Sequence, residues 1–384
     1  MPAPEGGDEE KRTGARTVAL LGSYAPSLIL FRGPLIAAMV ARGHRVVAMA
    51  PAIDADVAEK LRRLGAEPRE VPLVNSSLNP LASAKTVAVL TALLREVRPD
   101  VFIGYTIKPV TLGSIAARRA GVGRIVALIT GLGYAFTEGG GSKRRVSRAA
   151  ATLLYRLALR CCGRIIFQNP DDRDFFRKLG LLPRGAEVAL VKGSGIDLQA
   201  FAAAGLPGGM SFLMISRFLG DKGIREYAAA SRRLKARYPE VEFRLAGYPD
   251  PSPDGLSQRE IEEIAKGGVD LLGRLDDVRP AIAAASVYVL PSYREGTPRS
   301  VLEALAMARP VVTTDAPGCR ETVEDGVNGL LVPPRDTAAL ADAMERLILD
   351  PARLKPMARA SRALAERNFD VHAVNRAILD AAGL

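Results

Sequence analysis

The chain has 384 residues, 48% hydrophobic and 25% charged, enough to bury a substantial core in about two domains. No apolar run approaches the roughly 18 residues of a membrane-spanning helix. Three cysteines (Cys161, Cys162, Cys319) make no disulfide framework and fit a reducing cytoplasm, while two histidines (His44, His372) exclude a histidine-rich metal site.

Residues 1–16 are polar, of mixed charge and without an apolar signal core, and are expected to form a disordered tail. From Thr17 onward strand candidates at 17–22, 45–50, 101–104, 125–129, 164–168 and 188–191 are separated by helical stretches, the first at 34–41. That alternation indicates parallel βαβ units. The loop 22–33 is long for a βα connection and carries Ser27, Arg32 and Gly33, which makes it a candidate binding loop. His44 sits in a helix-to-strand turn and reads as structural.

The net charge of +11 is unevenly placed. Between Asp100 and Asp171 stand eleven cations, among them Lys108, Arg124, Lys143, Arg144, Arg145, Arg148 and Arg164, against one acid, Glu138. In 147–160 Leu153, Leu154, Leu157 and Leu159 alternate with Arg148, Arg156 and Arg160, a pattern close to an interfacial amphipathic helix. Some of these leucines must enter the core, because strand 164–168 follows almost directly. An anionic membrane surface is the expected partner of this face, with Lys143, Arg144, Arg145 and Arg148 at its centre. Nucleic acid is not expected, since no base-stacking motif accompanies the charge.

A segment rich in Ala, Gly and Pro at 200–209 marks a linker, after which the alternation resumes with strands at 212–215, 241–246, 269–272, 286–290 and 310–314. Two doubly wound halves imply a cleft between them. The proline-rich 248–255 reads as a mobile loop, and Asp276-Asp277 as a helix cap.

Two loops of the second half carry the chemistry. Glu295 and Glu303 bracket Gly296-Thr297-Pro298-Arg299-Ser300-Val301-Leu302, between an apolar strand and the next helix. In open α/β sheets ligands bind at such carboxyl ends, where helix N–H groups attract phosphate and acids accept from hydroxyls. The other loop, Ser216-Arg217-Phe218-Leu219-Gly220-Asp221-Lys222-Gly223, offers two cations suited to a diphosphate. A sugar nucleotide, with hydroxyls at both ends of a diphosphate, fits the combination.

These motifs resemble the retaining, nucleotide-sugar-dependent glycosyltransferases of family 4. Pro291-Ser292-Tyr293-Arg294-Glu295-Gly296-Thr297-Pro298-Arg299-Ser300, Thr314 to Thr322, and Thr130-Gly131-Leu132-Gly133-Tyr134 are similar to the branch that extends polyprenyl-diphosphate-linked saccharides, such as the α-1,3-N-acetylgalactosaminyltransferases of bacterial N-glycan assembly. The resemblance implies a GT-B fold. A first domain (17–205) would bind acceptor and membrane, a second (206–370) the nucleotide sugar, and a last helix (371–384) would cross back to the first. By the same resemblance Glu295 would touch donor-sugar hydroxyls and Glu303 the ribose. Arg217 and Lys222 would hold the diphosphate with the N–H groups of Arg299 and Ser300, beside Gly296 and Thr297. Leu275 would border the base, and Gly33 would approach the donor. Many family members carry a histidine where this chain has Thr130-Gly131, so no catalytic histidine is assigned.

The expected reaction moves an N-acetylhexosamine from a UDP-linked donor onto a lipid-linked saccharide, without metal or separate cofactor. The enzyme would be cytoplasmic and attached peripherally to the inner face of the membrane. The alternatives are another donor, a GDP- or UDP-hexose for capsule, exopolysaccharide or O-antigen, and a sugar-nucleotide epimerase. A dinucleotide oxidoreductase is disfavoured, because no G-x-G-x-x-G follows the first strand.

Overall fold

The computed structural model describes residues 14–73, 80–132, 136 and 142–384, without the side chains of Pro80 and 142–147. Short runs of Val, Ile, Leu and Ala need apolar cover on both faces, and a parallel sheet between two helix layers supplies it. The first sheet comprises β1 (Thr17–Leu21), β2 (Arg45–Ala50), β3 (Ala66–Glu70), β4 (Val101–Tyr105), β5 (Arg124–Ile129), β6 (Arg164–Phe167) and β7 (Glu187–Leu190), in the order β3-β2-β1-β4-β5-β6-β7. The second comprises β8 (Ser211–Ile215), β9 (Glu242–Ala246), β10 (Val269–Gly273), β11 (Val287–Leu290), β12 (Val311–Thr314) and β13 (Gly329–Val332), in the order β10-β9-β8-β11-β12-β13. Every ladder is parallel.

The chain is thus an α/β protein of two Rossmann-like, doubly wound sheets. Strand order reverses between β1 and β4 and between β8 and β11, and these switch points are where open sheets form their ligand crevices. Two strands escaped the sequence analysis. β3 is an edge strand whose polar sequence includes Pro68, a residue that edge strands tolerate. β13 opens on Gly329, whose backbone lies so close to Val311 that an added Cβ would come within 1.9 Å of its carbonyl oxygen.

The helix Val371–Ala382 packs on the first sheet, burying Val374, Ile378, Leu379 and Ala382 against that domain's core. The chain enters it through Ile196, whose N–H donates to Phe369 O (2.7 Å) and whose carbonyl accepts from Val371 N (3.0 Å). Arginines gather at the other end, where cations complement the helix dipole. Arg16 Nη1 donates to Gly383 O (2.7 Å) together with Arg124, and Arg164 Nη1 donates to Ala381 O (2.9 Å). The basic stretch of the sequence is therefore not a single surface. Arg124 and Arg164 serve this helix end, away from the segment Ser142–Leu159.

Residues 201–210 carry neither helix nor strand and lie between the two sheets. Arg309 is fully buried and ties this segment to the second domain. Its guanidinium donates to Ala285 O (2.7 Å), Gly205 O (2.8 Å), Met307 O (3.1 Å) and Ala204 O. Replacing it with methionine should strand these carbonyls and destabilise the fold by about 3 kcal/mol, measured by urea denaturation. An unchanged midpoint would contradict the account.

Candidate active site

Because β8 and β11 are hydrogen-bonded neighbours, the loops that follow them meet at the centre of the second sheet. Lys222 ends a single turn, Gly220–Lys222, and Gly223 (φ +75°) leads into the helix Ile224–Lys235. A Cβ on Gly223 would stand 2.2 Å from Pro291 O, so glycine lets the two loops touch. Tyr293 N donates to Asp221 O (2.9 Å), and the Tyr293 hydroxyl to Glu226 Oε1 (2.6 Å).

At this junction Lys222 Nζ lies 2.5 Å from Glu295 Oε1, which also accepts from Ser292 Oγ (2.8 Å). Both charged side chains are mostly buried, 18% and 15% exposed. Burial pulls the Lys222 pKa down, but the charges of Glu295 and Asp221 outweigh it, and the ammonium titrates above the ordinary lysine value. The glutamate is thereby held as an oriented hydrogen-bond acceptor.

A third loop seats the backbone of Glu295, whose N–H donates to Pro317 O (2.9 Å). Gly318 takes φ +81°, with an added Cβ only 2.2 Å from Glu295 O. Cys319 is sealed, its thiol pushed up to about 12 by burial, as befits a packing residue. Glu321 lies in the turn Arg320–Thr322. Burial raises its pKa, and among the described residues its Oε2 has no partner.

The remaining residues singled out in the sequence are distributed around this junction. Arg217 is half exposed and pairs with Asp250 (2.6 Å). Its partner comes from 248–255, which is anchored rather than mobile: Asp254 accepts from Asp221 N (2.7 Å) and Gly220 N (2.8 Å), and Tyr248 O from Phe218 N (2.9 Å). Glu303 is largely buried on the helix Arg299–Ala306 and paired with Arg299 Nε (3.1 Å). Burial raises its pKa against the pull of Arg299. Arg299 also donates to Gly195 O (3.0 Å) and Ser194 Oγ (3.3 Å). The Ser300 hydroxyl reaches that of Tyr288. Half-buried Leu275 follows Gly273 (φ +67°), next to Arg274, which lies over the Tyr248 ring. Gly33 opens the helix Gly33–Ala41 after the β1 loop. Asp277 accepts from Arg279 N (3.0 Å), close to the expected cap. Buried His44 accepts from Arg16 N (3.2 Å), in keeping with a structural residue.

The first domain reaches this junction through residues that the sequence analysis did not single out. Asn169 caps the helix Pro170–Lys178 through Oδ1, and its Nδ2 donates to Gly296 O (2.8 Å) and Glu295 O (3.3 Å). Asp172, fully buried, accepts from Arg294 Nε (3.1 Å). Burial raises its pKa while Arg294 and Asn169 oppose. Thr297 Oγ1 donates to Gln168 O (3.3 Å). Asn-Pro-Asp-Asp was legible as a helix start, but its contact with the other domain was not. Gly131, where relatives carry histidine, has φ +126° and lies against Gly296, with an added Cβ 3.3 Å from its nitrogen.

On the helix Ser142–Leu159, Tyr155 and Leu159 are buried whereas Leu153 (56%) and Leu157 (46%) are exposed beside Arg156 and Arg160. Arg148 lies 5.6 Å from the centroid of Phe175, the ring that Arg294 also faces. The side chains of Lys143, Arg144 and Arg145 lie outside the described residues, as do residues 1–13 of the expected tail and Gly133, Tyr134 and Glu138.

Alanine at Gly318 should push the Glu295 backbone away and force a strained φ, for a loss of about 1–3 kcal/mol in stability. A calorimetric melt of Gly318→Ala equal to wild type would contradict this packing.

Residues 33–192 match the glycosyl transferase 4-like domain and residues 209–350 the glycosyl transferases group 1. The chain is 29% identical over 347 residues, 87% of its own length and 89% of the relative's, to N,N'-diacetylbacillosaminyl-diphospho-undecaprenol alpha-1,3-N-acetylgalactosaminyltransferase of Campylobacter jejuni. It is 25% identical over 295 residues (73% and 74%) to UDP-Gal:alpha-D-GlcNAc-diphosphoundecaprenol alpha-1,3-galactosyltransferase of Escherichia coli. In fold it is similar to sucrose-phosphate synthase of Thermosynechococcus elongatus (TM-score 0.81, 20% identity, covering 95% of this chain and 98% of the other). A second fold match is Anabaena HepE in complex with UDP and glucose (TM-score 0.77, 21% identity, covering 96% and 99%). Together with the paired parallel sheets, these matches show that the chain belongs to the group 1, family 4-like glycosyltransferases with the GT-B fold.

Proposed function

We propose that this glycosyltransferase moves a sugar, an N-acetylhexosamine from a UDP-linked donor, onto a polyprenyl-diphosphate-linked saccharide with retained anomeric configuration. The observation that carries the reading is the Lys222–Glu295 pair at the second sheet's switch point, a cation for phosphate beside an acceptor for hydroxyls. Relatives named for lipid-diphosphate acceptors support the choice of acceptor.

In this mechanism the sugar C1–O bond to the diphosphate breaks and a new C1–O bond forms to the acceptor hydroxyl on the same face. The hydroxyl proton passes to the departing phosphate oxygen. Lys222, Arg217 and the first-turn N–H groups of Arg299 and Ser300 stabilise the charge that grows on the leaving group. Glu295, pinned by Lys222 and Ser292, orients the sugar through its hydroxyls, and Glu303 receives the ribose. The second domain (206–370) thereby holds the donor and the first (17–205) the acceptor, with 371–384 as the returning helix.

Glu295→Gln should cut turnover more than about a hundredfold while UDP affinity by calorimetry stays within error. Parallel losses in rate and in UDP binding would refute the sugar-orienting role. Lys222→Ala and Arg217→Ala should each raise the barrier by about 2–4 kcal/mol in kcat/KM, and EDTA should leave wild-type turnover intact. Loss of turnover in EDTA with recovery on adding a divalent ion would overturn the metal-independent scheme.

Peripheral attachment to the inner membrane face belongs to the same proposal, carried by Leu153 and Leu157 standing exposed among arginines on one helix. No helix among the described residues is long and apolar enough to cross a membrane. Replacing Lys143, Arg144, Arg145 and Arg148 with glutamine should release the enzyme from anionic vesicles at low salt, at roughly 1 kcal/mol per cation. Turnover of a short water-soluble acceptor should change little. Equal co-sedimentation of wild type and variant would make this face ordinary solvated surface.

A further inference from the structure

Arg309 and Arg32 are the buried arginines among the described residues, and they differ in one respect. Arg309 spends its donors on carbonyl oxygens, as described above. Arg32, 3% exposed, has no acceptor for Nε or Nη1 among the described residues. Its guanidinium faces the Tyr105 ring, 5.1 Å from the centroid. That ring cannot act as a counter-ion, because burial holds the phenol neutral, pushed up to about 12, and its hydroxyl is engaged with Ser27 Oγ (2.8 Å). Burial lowers the Arg32 pKa to about 10, and the neighbouring cation Arg299 lowers it further rather than compensating it. At neutral pH the group remains charged. A buried, charged and unpartnered guanidinium is among the most unfavourable arrangements a fold can retain.

Its location points to a ligand. Arg32 ends the loop after β1 and Tyr105 ends β4, so the two flank the switch point of the first sheet, the counterpart of the crevice that holds Lys222 and Glu295. The helix Gly33–Ala41 starts at the next residue. Ile36 N already donates to Arg32 O, while Gly33 and Leu35 have no intrahelical acceptor. Across the cleft each cation already faces an acid: Lys222 faces Glu295, Arg217 faces Asp250 and Arg299 faces Glu303. Each of those pairs is neutral in sum. The net positive charge that a diphosphate needs is supplied by Arg32.

We propose that Arg32 and the first turn of the helix Gly33–Ala41 form a diphosphate-binding site on the first domain, set against the paired cations of the second. The proposal rests on the reading of this cleft as a sugar-transfer site. The anion has two possible sources with the same chemistry: the donor's diphosphate, which the nearby Arg299 favours, and the acceptor's, which the exposed Tyr24, Leu30 and Phe31 of the same loop would suit through an attached lipid. In either case the first domain gains a charge-assisted contact only when the ligand is present, which couples binding to closure of the two sheets around it.

The full chain, Arg32→Gln and Arg32→Lys are titrated with inorganic pyrophosphate, UDP and UMP, followed by calorimetry and thermal melting. Without ligand, Arg32→Gln should melt no lower than wild type, since an unpartnered buried charge has been removed. Its pyrophosphate affinity should fall at least about tenfold, with Arg32→Lys in between. If the source is the donor, UDP weakens as well and UMP much less. If it is the acceptor, UDP is unchanged and kcat/KM falls only for acceptors that carry a diphosphate. Wild-type pyrophosphate affinity in both variants overturns the proposal, whether or not they melt lower, and leaves Arg32 as packing for Tyr105. Should wild type transfer no sugar from any UDP donor, the proposed function fails by itself, and the pyrophosphate titration still decides the role of Arg32.

Discussion

The ion pair between Lys222 and Glu295 is the contact on which the rest of the second domain's face depends. Neither side chain would be stable at this depth alone, because a half-desolvated charge without a partner costs several kcal/mol. Each therefore fixes the loop that carries the other. Glycines at 223 and 318 are consequences of that constraint, since any Cβ there would drive apart the backbones that bring the pair within 2.5 Å. Ser292 completes the set by occupying a lone pair of the same carboxylate oxygen. The carboxylate is left fixed in place, ready for a hydroxyl.

The same logic governs how the two sheets face each other. Asn169 and Asp172, at the start of one first-domain helix, hold the carbonyls of Glu295 and Gly296 and the guanidinium of Arg294. Gly131 and Gly296 let the backbones come together where a side chain would separate them. The reactive loop is thus braced from both domains. A glycosyl transfer must keep water from the reacting carbon, and a cleft whose walls touch through backbone contacts does so with little cost in side-chain entropy. The returning helix Val371–Ala382 acts at the opposite end, where Arg16, Arg124 and Arg164 take its last carbonyls and fasten the chain end to the first sheet.

The resolved ion pairs also account for how the cleft is poised electrically. Cations and acids of the second domain are matched one to one, which keeps a largely dehydrated surface neutral before substrate arrives. Displacing Asp250 from half-exposed Arg217 is easier than separating Lys222 from Glu295, both mostly buried. The two cations meant for one diphosphate therefore differ: one is mobile and screened, the other rigid.

Much of this was legible from residue order alone. Apolar runs separated by helical patterns specify parallel doubly wound halves, and the Glu295–Glu303 and Arg217–Lys222 segments announce themselves because a strand, a tight turn and a helix start each carry a local chemical signature. Where the signature is weak the reading failed: β3 is polar and exposed at an edge, and β13 opens on a glycine. What only the tertiary structure decided is which distant groups neutralise one another. Periodicity locates a charge on a loop or a helix, but partner choice depends on strand order. It is the β8–β11 adjacency that gives Lys222 its glutamate, and the folding back of 248–255 that gives Arg217 its aspartate. Likewise the basic stretch of the first half reads as one surface along the chain, yet β5 and β6 carry Arg124 and Arg164 to a helix end far away in sequence. Sequence by itself determined the elements and the chemical kinds of residue at their ends, since these follow from local sterics and side-chain polarity. The tertiary structure decided the pairing of charges, because electrostatic energy is set by distance through the fold and not by separation along the chain.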